Sequence, residues 1–311
     1  MKGVILAAGK GTRLYPITKF IPKPLLPIAN RPTLAYAFDQ LKQMGIQDIC
    51  VVVGENEPQM REALGDGSAF GITLSYARQL EPKGLAHALS FAKDFVDSDS
   101  FVLYLGDAIY DAPFDAFRKR FEESGCANLN LVKEVEDPSR FGVANVEGER
   151  IVKLIEKPAQ PESNLAMAGM YIFGPKIWDA IDGLQPSARG EYEITDAIQR
   201  LIDKGETVLA GVYNGTWFDT GTLDSFLETS AYLTKGKPLI AEDANVKVPE
   251  ISNKVVIGEG SEVECAGIEN SVVLPGAQVC VTGKISNCIL AGKVTFEGDL
   301  NREIRYNDLR E

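Results

Sequence analysis

Two glycines, a threonine and two cations stand together in Gly9-Lys10-Gly11-Thr12-Arg13, directly behind the apolar run Val4-Ile5-Leu6-Ala7-Ala8. Glycines let backbone N–H groups approach phosphate oxygens, and nearby cations hold the charge. A further cation, Lys23, lies ten residues beyond Arg13 within Pro22-Lys23-Pro24-Leu25-Leu26-Pro27. The chain has a net charge of −12, yet residues 1–38 contain Lys2, Lys10, Arg13, Lys19, Lys23 and Arg31 and no Asp or Glu. A basic opening on an acidic protein suits an anionic ligand, with a solvated basic face as the alternative.

Two familiar phosphate motifs do not fit. A P-loop requires GxxxxGK[ST], a spacing absent from this loop. A dinucleotide fingerprint requires GxGxxG, and Leu14 occupies the place of the third glycine. The prolines that follow also forbid a helix directly behind the loop.

The elements that must position these groups alternate. Strands are expected at Lys2–Ala8, Asp48–Gly54, Ile72–Gln79 and Ser100–Asp107, and helices at Thr33–Met44, Pro58–Leu64 and Gly84–Val96. Strand and helix in turn imply βαβ units and a mainly parallel sheet. Residues 9–32 form a long loop whose apolar content (Leu14, Ile17, Phe20, Leu25, Leu26, Ile28) favours a packed, functional segment. Beyond residue 126, Ala127–Val135, Phe141–Val146, Ile151–Glu156 and Met167–Phe173 read as strands with short turns, and therefore as antiparallel additions. Helices are expected at 175–182, 192–204 and 222–234.

From about residue 240 apolar residues recur every six positions, as in Ile257 and Val263, then Val273, Val279 and Ile285. That period suggests the turns of a β-helix, with a small irregular β-domain as the alternative. The exposed ends of a short β-helix favour packing against another subunit. Cys50, Cys126, Cys265, Cys280 and Cys288 are odd in number and form no CxxC pair, which indicates neither a zinc site nor a disulfide framework. No apolar run reaches the length of a membrane span and the opening is no signal peptide, so a reduced, cytoplasmic location is expected. The acidic balance argues against nucleic acid as a partner.

The segment Leu6-Ala7-Ala8-Gly9-x-Gly11-Thr12-Arg13-Leu14, followed by Pro22-Lys23-Pro24-Leu25-Leu26-Pro27, closely resembles the sugar-1-phosphate nucleotidylyltransferases. The likeness continues in order through residues 1–235. Gln79-x-x-Pro82-x-Gly84-Leu85-Ala86-His87-Ala88 resembles the nucleobase segment. Leu105-Gly106-Asp107 resembles the metal-binding strand end, although Ala108 stands where many members have Asn. Arg140-Phe141-Gly142-Val143, Glu156-Lys157-Pro158 and Ala168-Gly169-Met170-Tyr171 resemble the sugar-pocket segments. Arg189-Gly190-Glu191-Tyr192-Glu193-Ile194-Thr195-Asp196 is similar to the glucose-1-phosphate thymidylyltransferase branch, and Trp217-Phe218-Asp219-Thr220-Gly221-Thr222 to the second metal segment. The implied fold is α/β: a Rossmann-like mixed, mainly parallel sheet flanked by helices over residues 1–238. A short left-handed β-helix-like domain over 239–311 would follow it.

The reaction implied is attack of a sugar-1-phosphate oxygen on the α-phosphate of a nucleoside triphosphate, with pyrophosphate leaving. Unit charges 4 Å apart repel by about 4 kcal/mol at an effective dielectric of 20, and these groups carry more than one charge each. The nucleophile is already ionised, so positioning and charge neutralisation dominate over base catalysis. By this resemblance Leu6, Ala8, Gly9, Gly11 and Thr12 line the nucleotide site, Arg13 and Lys23 hold the β,γ-phosphates, and Asp107 and Asp219 share a Mg²⁺. Gln79 and Gly84 meet a thymine or uracil. Lys157 clamps the sugar phosphate, with Gly142, Glu156, Gly169 and Tyr171 around the sugar.

Plainer roles stand beside these. Asp107 can cap a strand end, and Asp219 can open an Asx-turn. Gln79 can be a polar strand end, and Glu156 can simply pair with Lys157. Gly142 and Gly169 can be turn glycines. His87, the only histidine, reads as a packed or base-adjacent residue. With none beyond it, the tail is expected to be structural, oligomeric or regulatory, and not a histidine-dependent acyltransferase. The competing functional readings are a transferase for another sugar-1-phosphate and a non-catalytic nucleotide-sugar-binding subunit.

Overall fold

The computed structural model describes residues 1–307. Its contacts group into two compact units: residues 1–9 with 36–217, and residues 10–35 with 218–307.

The first unit is built on a nine-stranded sheet: β1 (Lys2–Leu6), β2 (Asp48–Val53), β3 (Thr73–Arg78), β4 (Phe101–Leu105), β5 (Asn128–Glu134), β6 (Gly142–Glu147), β7 (Arg150–Glu156), β8 (Leu165–Phe173) and β9 (Val208–Val212). The order across the sheet is β3-β2-β1-β4-β8-β5-β9-β7-β6. The first four strands are parallel, with Val4 opposite both Cys50 and Leu103. They read as near-continuous apolar runs because both sheet faces are covered. β8 then enters antiparallel between β4 and β5, and β9 runs parallel to β5. β9 and the helix Asp115–Ser124 are two elements that the sequence patterning did not indicate.

The expected helix at 84–96 is two shorter ones, Leu85–Ser90 and Lys93–Val96. The N–H groups of Phe91 and Ala92 reach back three residues to the carbonyls of Ala88 and Leu89, which tightens the turn. The helix Ile194–Asp203 buries Ile194, Ala197, Ile198 and Leu201, one face at helical spacing. The two isoleucines and the leucine each contribute roughly 1.5–3 kcal/mol of burial.

In the second unit the chain forms coils with parallel strands on three faces. Ile257, Val273 and Leu290 stack in register on one face, Val246, Val263, Val279 and Val294 on the next, and Ile268, Ile285 and Leu300 on the third. Ile257, Val263 and Ile268 and the residues stacked above them fill a common interior. Asn270, Asn287 and Asn301 form a ladder at one corner: Nδ2 of Asn270 donates to Asn287 Oδ1 at 2.7 Å, and Nδ2 of Asn287 to Asn301 Oδ1 at 3.0 Å. The same unit contains the segment 10–35. Phe20 stacks on Tyr306 at 4.1 Å and Asn30 Nδ2 donates to the Ile257 carbonyl at 3.2 Å. No helix among the described residues is long and apolar enough to cross a membrane.

Candidate active site

In the first unit, parallel β1 to β4 bring their carboxyl ends to one edge, where ligands of open α/β sheets bind. Leu6 is the last residue of β1, and its carbonyl accepts the N–H of Gly106 at 3.0 Å, one residue before Asp107. Ala7 N–H donates to Val52 O at 2.8 Å. Asn56 clasps this edge: its Nδ2 donates to Ala7 O at 3.2 Å and its Oδ1 accepts from Gly54 N–H at 2.8 Å. A Cβ on Gly54 would lie 3.0 Å from Ala8 O, so the two turns are in close approach. A Cβ on Gly9 would meet nothing within 4 Å, which leaves its backbone open to a ligand.

Gln79 follows β3 at the same edge, with its N–H bonded to Val53 O at 2.8 Å. It is 6 % exposed. Its Nε2 lies 3.0 Å from His87 Nδ1 and 3.4 Å from Gly84 O. Gly84 has φ +104°, and a Cβ there would stand 2.6 Å from the Tyr192 carbonyl oxygen, so only glycine fits. The His87 ring packs edge-on to Phe91 at 5.0 Å and faces Tyr192 at 6.0 Å. Burial holds its pKa below the ordinary value and the Lys83 charge adds to that, while the Glu81 carboxylate and backbone oppose it.

Glu156 ends β7. Its Oε1 lies 3.5 Å from Lys157 Nζ and 3.5 Å from Arg189 Nη1, and Thr195 Oγ1 donates to its Oε2 at 3.2 Å. Lys157 has φ +42°, an uncommon conformation for a lysine, fixed by its N–H donating to Phe141 O at 2.9 Å. A Cβ on Gly142 would stand 2.6 Å from Thr195 Cγ2 and 3.2 Å from Glu156 Oε2, so Gly142 serves close packing around this carboxylate. Gly169, at φ +87°, sits where the β8–β5 register shifts between Met167 and Tyr171. Tyr171 is 3 % exposed and stacks on Phe173 within the core. Burial raises its phenol pKa, and the charge of Glu156 raises it further. Thr195 and Arg189 complete the Glu156 cluster. They belong to the quoted motif, but nothing in their spacing ties them to Glu156.

In the second unit, Gly11 has φ +64° and caps the turn Thr12–Leu14. A Cβ there would lie 3.0 Å from Lys23 Cβ and 3.1 Å from Thr18 Cγ2, and Thr18 Oγ1 donates to Gly11 O at 2.8 Å. The two halves of the basic motif therefore pack against each other at Gly11. Lys23 is buried between Pro22 and Pro24 at 8 % exposure. Arg13 and Asp219 meet at Gly221, whose added Cβ would stand 2.7 Å from Arg13 Nη2 and 2.8 Å from Asp219 Oδ1. Thr222, next along, caps the helix Leu223–Leu233 through a reciprocal bond pair with Ser225.

A parallel sheet whose carboxyl edge carries a glycine turn and Asp107 defines an open-sheet α/β protein. The chain belongs to the nucleotidyl transferase family, whose model matches residues 2–236. It is 38 % identical to the low-salt glycan biosynthesis nucleotidyltransferase Agl11 of Haloferax volcanii, over 93 % of this chain and 92 % of the relative. It is 38 % identical to a glucose-1-phosphate thymidylyltransferase of Streptomyces antibioticus, over 96 % and 83 %. It is 44 % identical to the UTP–glucose-1-phosphate uridylyltransferase AglF of H. volcanii, over 71 % and 91 %. A solved structure of UDP-glucose pyrophosphorylase with UDP-glucose superposes with a TM-score of 0.69 at 30 % identity, over 75 % of this chain and 98 % of that one.

Proposed function

We propose that the protein transfers a nucleotidyl group from dTTP or UTP to glucose-1-phosphate and releases pyrophosphate. The observation that carries this reading is the meeting of Arg13 and Asp219 over Gly221, inside the motifs of this family. A guanidinium has donors for phosphate oxygens, and a carboxylate has oxygens for a divalent cation. The likeness to relatives named for thymidylyl and uridylyl transfer supports the choice of substrates.

The backbone of Leu6, Ala8, Gly9, Gly11 and Thr12 would line the triphosphate. Arg13 and Lys23 would neutralise the β,γ-phosphates and then the departing pyrophosphate. Lys157 would hold the phosphate of the sugar in line for attack. Its unusual backbone conformation supports a constrained, functional lysine. Glu156, gripped by Thr195 and Arg189, would accept bonds from sugar hydroxyls, with Gly142, Gly169 and Tyr171 shaping the space around them.

Asp107 and Asp219 offer carboxylate oxygens, the donors that Mg²⁺ typically takes together with substrate phosphates. Asp107 and Asp219 would hold it, and its charge would offset the repulsion between the two substrates. Gln79 and Gly84 would meet the pyrimidine. The catalytic domain would span 1–238, a boundary supported by the family match ending at 236. The domain 239–311 would serve homo-oligomerisation in the cytoplasm, with neither nucleic acid nor membrane as a partner.

The test is pyrophosphate release with Mg²⁺ across dTTP, UTP, GTP, ATP and CTP against several sugar-1-phosphates. Release that needs both substrates and peaks with dTTP or UTP and glucose-1-phosphate is expected. Nucleotide binding without release would instead make the chain a regulatory subunit.

A further inference from the structure

We infer that His87 is a positioning residue that fixes which end of the Gln79 amide faces the nucleobase, and so sets the choice of pyrimidine. This rests on the reading of Gln79 as the residue that meets the base.

Donors and acceptors fix the orientation of the amide. The Gly84 carbonyl can only accept, so the Gln79 atom facing it at 3.4 Å is the amide nitrogen. The same nitrogen lies 3.0 Å from His87 Nδ1, which must then be the unprotonated, accepting nitrogen of a neutral ring. The surroundings agree. Burial and Lys83 disfavour the imidazolium more than the Glu81 carboxylate and backbone favour it, and Tyr192 and Phe91 hold the ring in place.

Both N–H bonds of Gln79 are thus spent on Gly84 and His87. Its Oε1 is left with no hydrogen-bond partner among the described residues, so the amide offers a ligand an acceptor and no donor. Thymine and uracil carry an N3–H donor that suits that acceptor, whereas cytosine N3 is itself an acceptor. An unlocked amide could rotate and serve cytosine as well. His87 removes that freedom, and Gly84 opposes the rotation with a second acceptor.

The experiment is kcat/KM for UTP and for CTP, with saturating glucose-1-phosphate, in the wild type, H87L, H87Q and Q79L. Leucine offers no acceptor, while glutamine restores one through its carbonyl. A net hydrogen bond of about 1 kcal/mol corresponds to roughly a fivefold change. H87L is expected to lower the UTP-to-CTP ratio about fivefold with the KM for glucose-1-phosphate unchanged, and H87Q to recover the wild-type ratio. A merely structural histidine would lower turnover with both nucleotides alike. If H87L melts early, H87F, which refills the space beside Phe91 and Tyr192, takes its place. An unchanged ratio in the acceptor-free variant, with the ratio lost in Q79L, overturns the lock and keeps Gln79 as the base reader. An unchanged ratio in Q79L as well overturns both.

Discussion

Replacing Gly221 by alanine separates the proposed catalytic geometry from the stability of the fold. The added Cβ would stand 2.7 Å from Arg13 Nη2 and 2.8 Å from Asp219 Oδ1, while ordinary contact begins at 3.4 Å. Both side-chain ends must therefore retreat, by about 0.7 Å and about 0.6 Å respectively. They are tips of side chains and not backbone, and Gly221 lies outside the left-handed region, so G221A should lose no more than about 1 kcal/mol of stability. The reaction is less forgiving. A misplacement of about 1 Å can lower a rate by about 10²-fold, so kcat/KM for the nucleotide should fall roughly tenfold to hundredfold. Pyrophosphate release gives the first quantity and a thermal melt the second. Gly9→Ala is the companion: it meets no protein atom within 4 Å, so it should fold normally and lose activity only by crowding the phosphates. Wild-type kcat/KM in a folded G221A would refute the claim that Arg13 and Asp219 must stand where they do.

Three further outcomes are expected. Asp107→Asn should abolish turnover with an unchanged melting temperature, and wild-type-like activity over a Mg²⁺ titration would remove Asp107 from the metal role. Asn287→Ala deletes two ladder bonds and leaves a Cβ residue at φ +55°, so denaturant unfolding should show a loss of about 2 kcal/mol with pyrophosphate release unchanged. Because folding lowers the His87 pKa from 6.5, the unfolded chain binds the proton more readily, so stability should decline as pH falls below about 6.5; H87Q should flatten that slope in chemical denaturation.

Residues whose neighbours lie close in sequence were the ones most easily read. The four parallel strands and the packed basic loop follow from local periodicity and from glycine, proline and charge placement. The coils beyond residue 240 showed their six-residue period because each face repeats the same burial. Insertion of β8 between β4 and β5 left no local mark, since a buried strand looks the same beside either neighbour. The helix Asp115–Ser124 buries only Phe121, which gives almost no periodic signal. Within the site, the motifs indicated Glu156 and Gln79 but not what holds them. Thr195 reaches Glu156 from thirty-nine residues away, and the Gln79–His87 contact passes through Gly84, whose φ of +104° only the backbone reveals. The contact of Arg13 with the Asp219 segment joins opposite ends of the motif series, and such long-range closure has no sequence signature.

The stack of Phe20 on Tyr306 has a consequence for how the protein is made. The basic loop leaves the ribosome early, whereas the coil that carries Tyr306 follows only after the whole nine-stranded sheet has been translated. Contacts so far apart in the chain are the slowest to form. The loop segment 10–35 thus completes its own packing last, when the coil bearing Tyr306 closes, and the nascent chain carries a fully synthesised but unfinished basic loop until then.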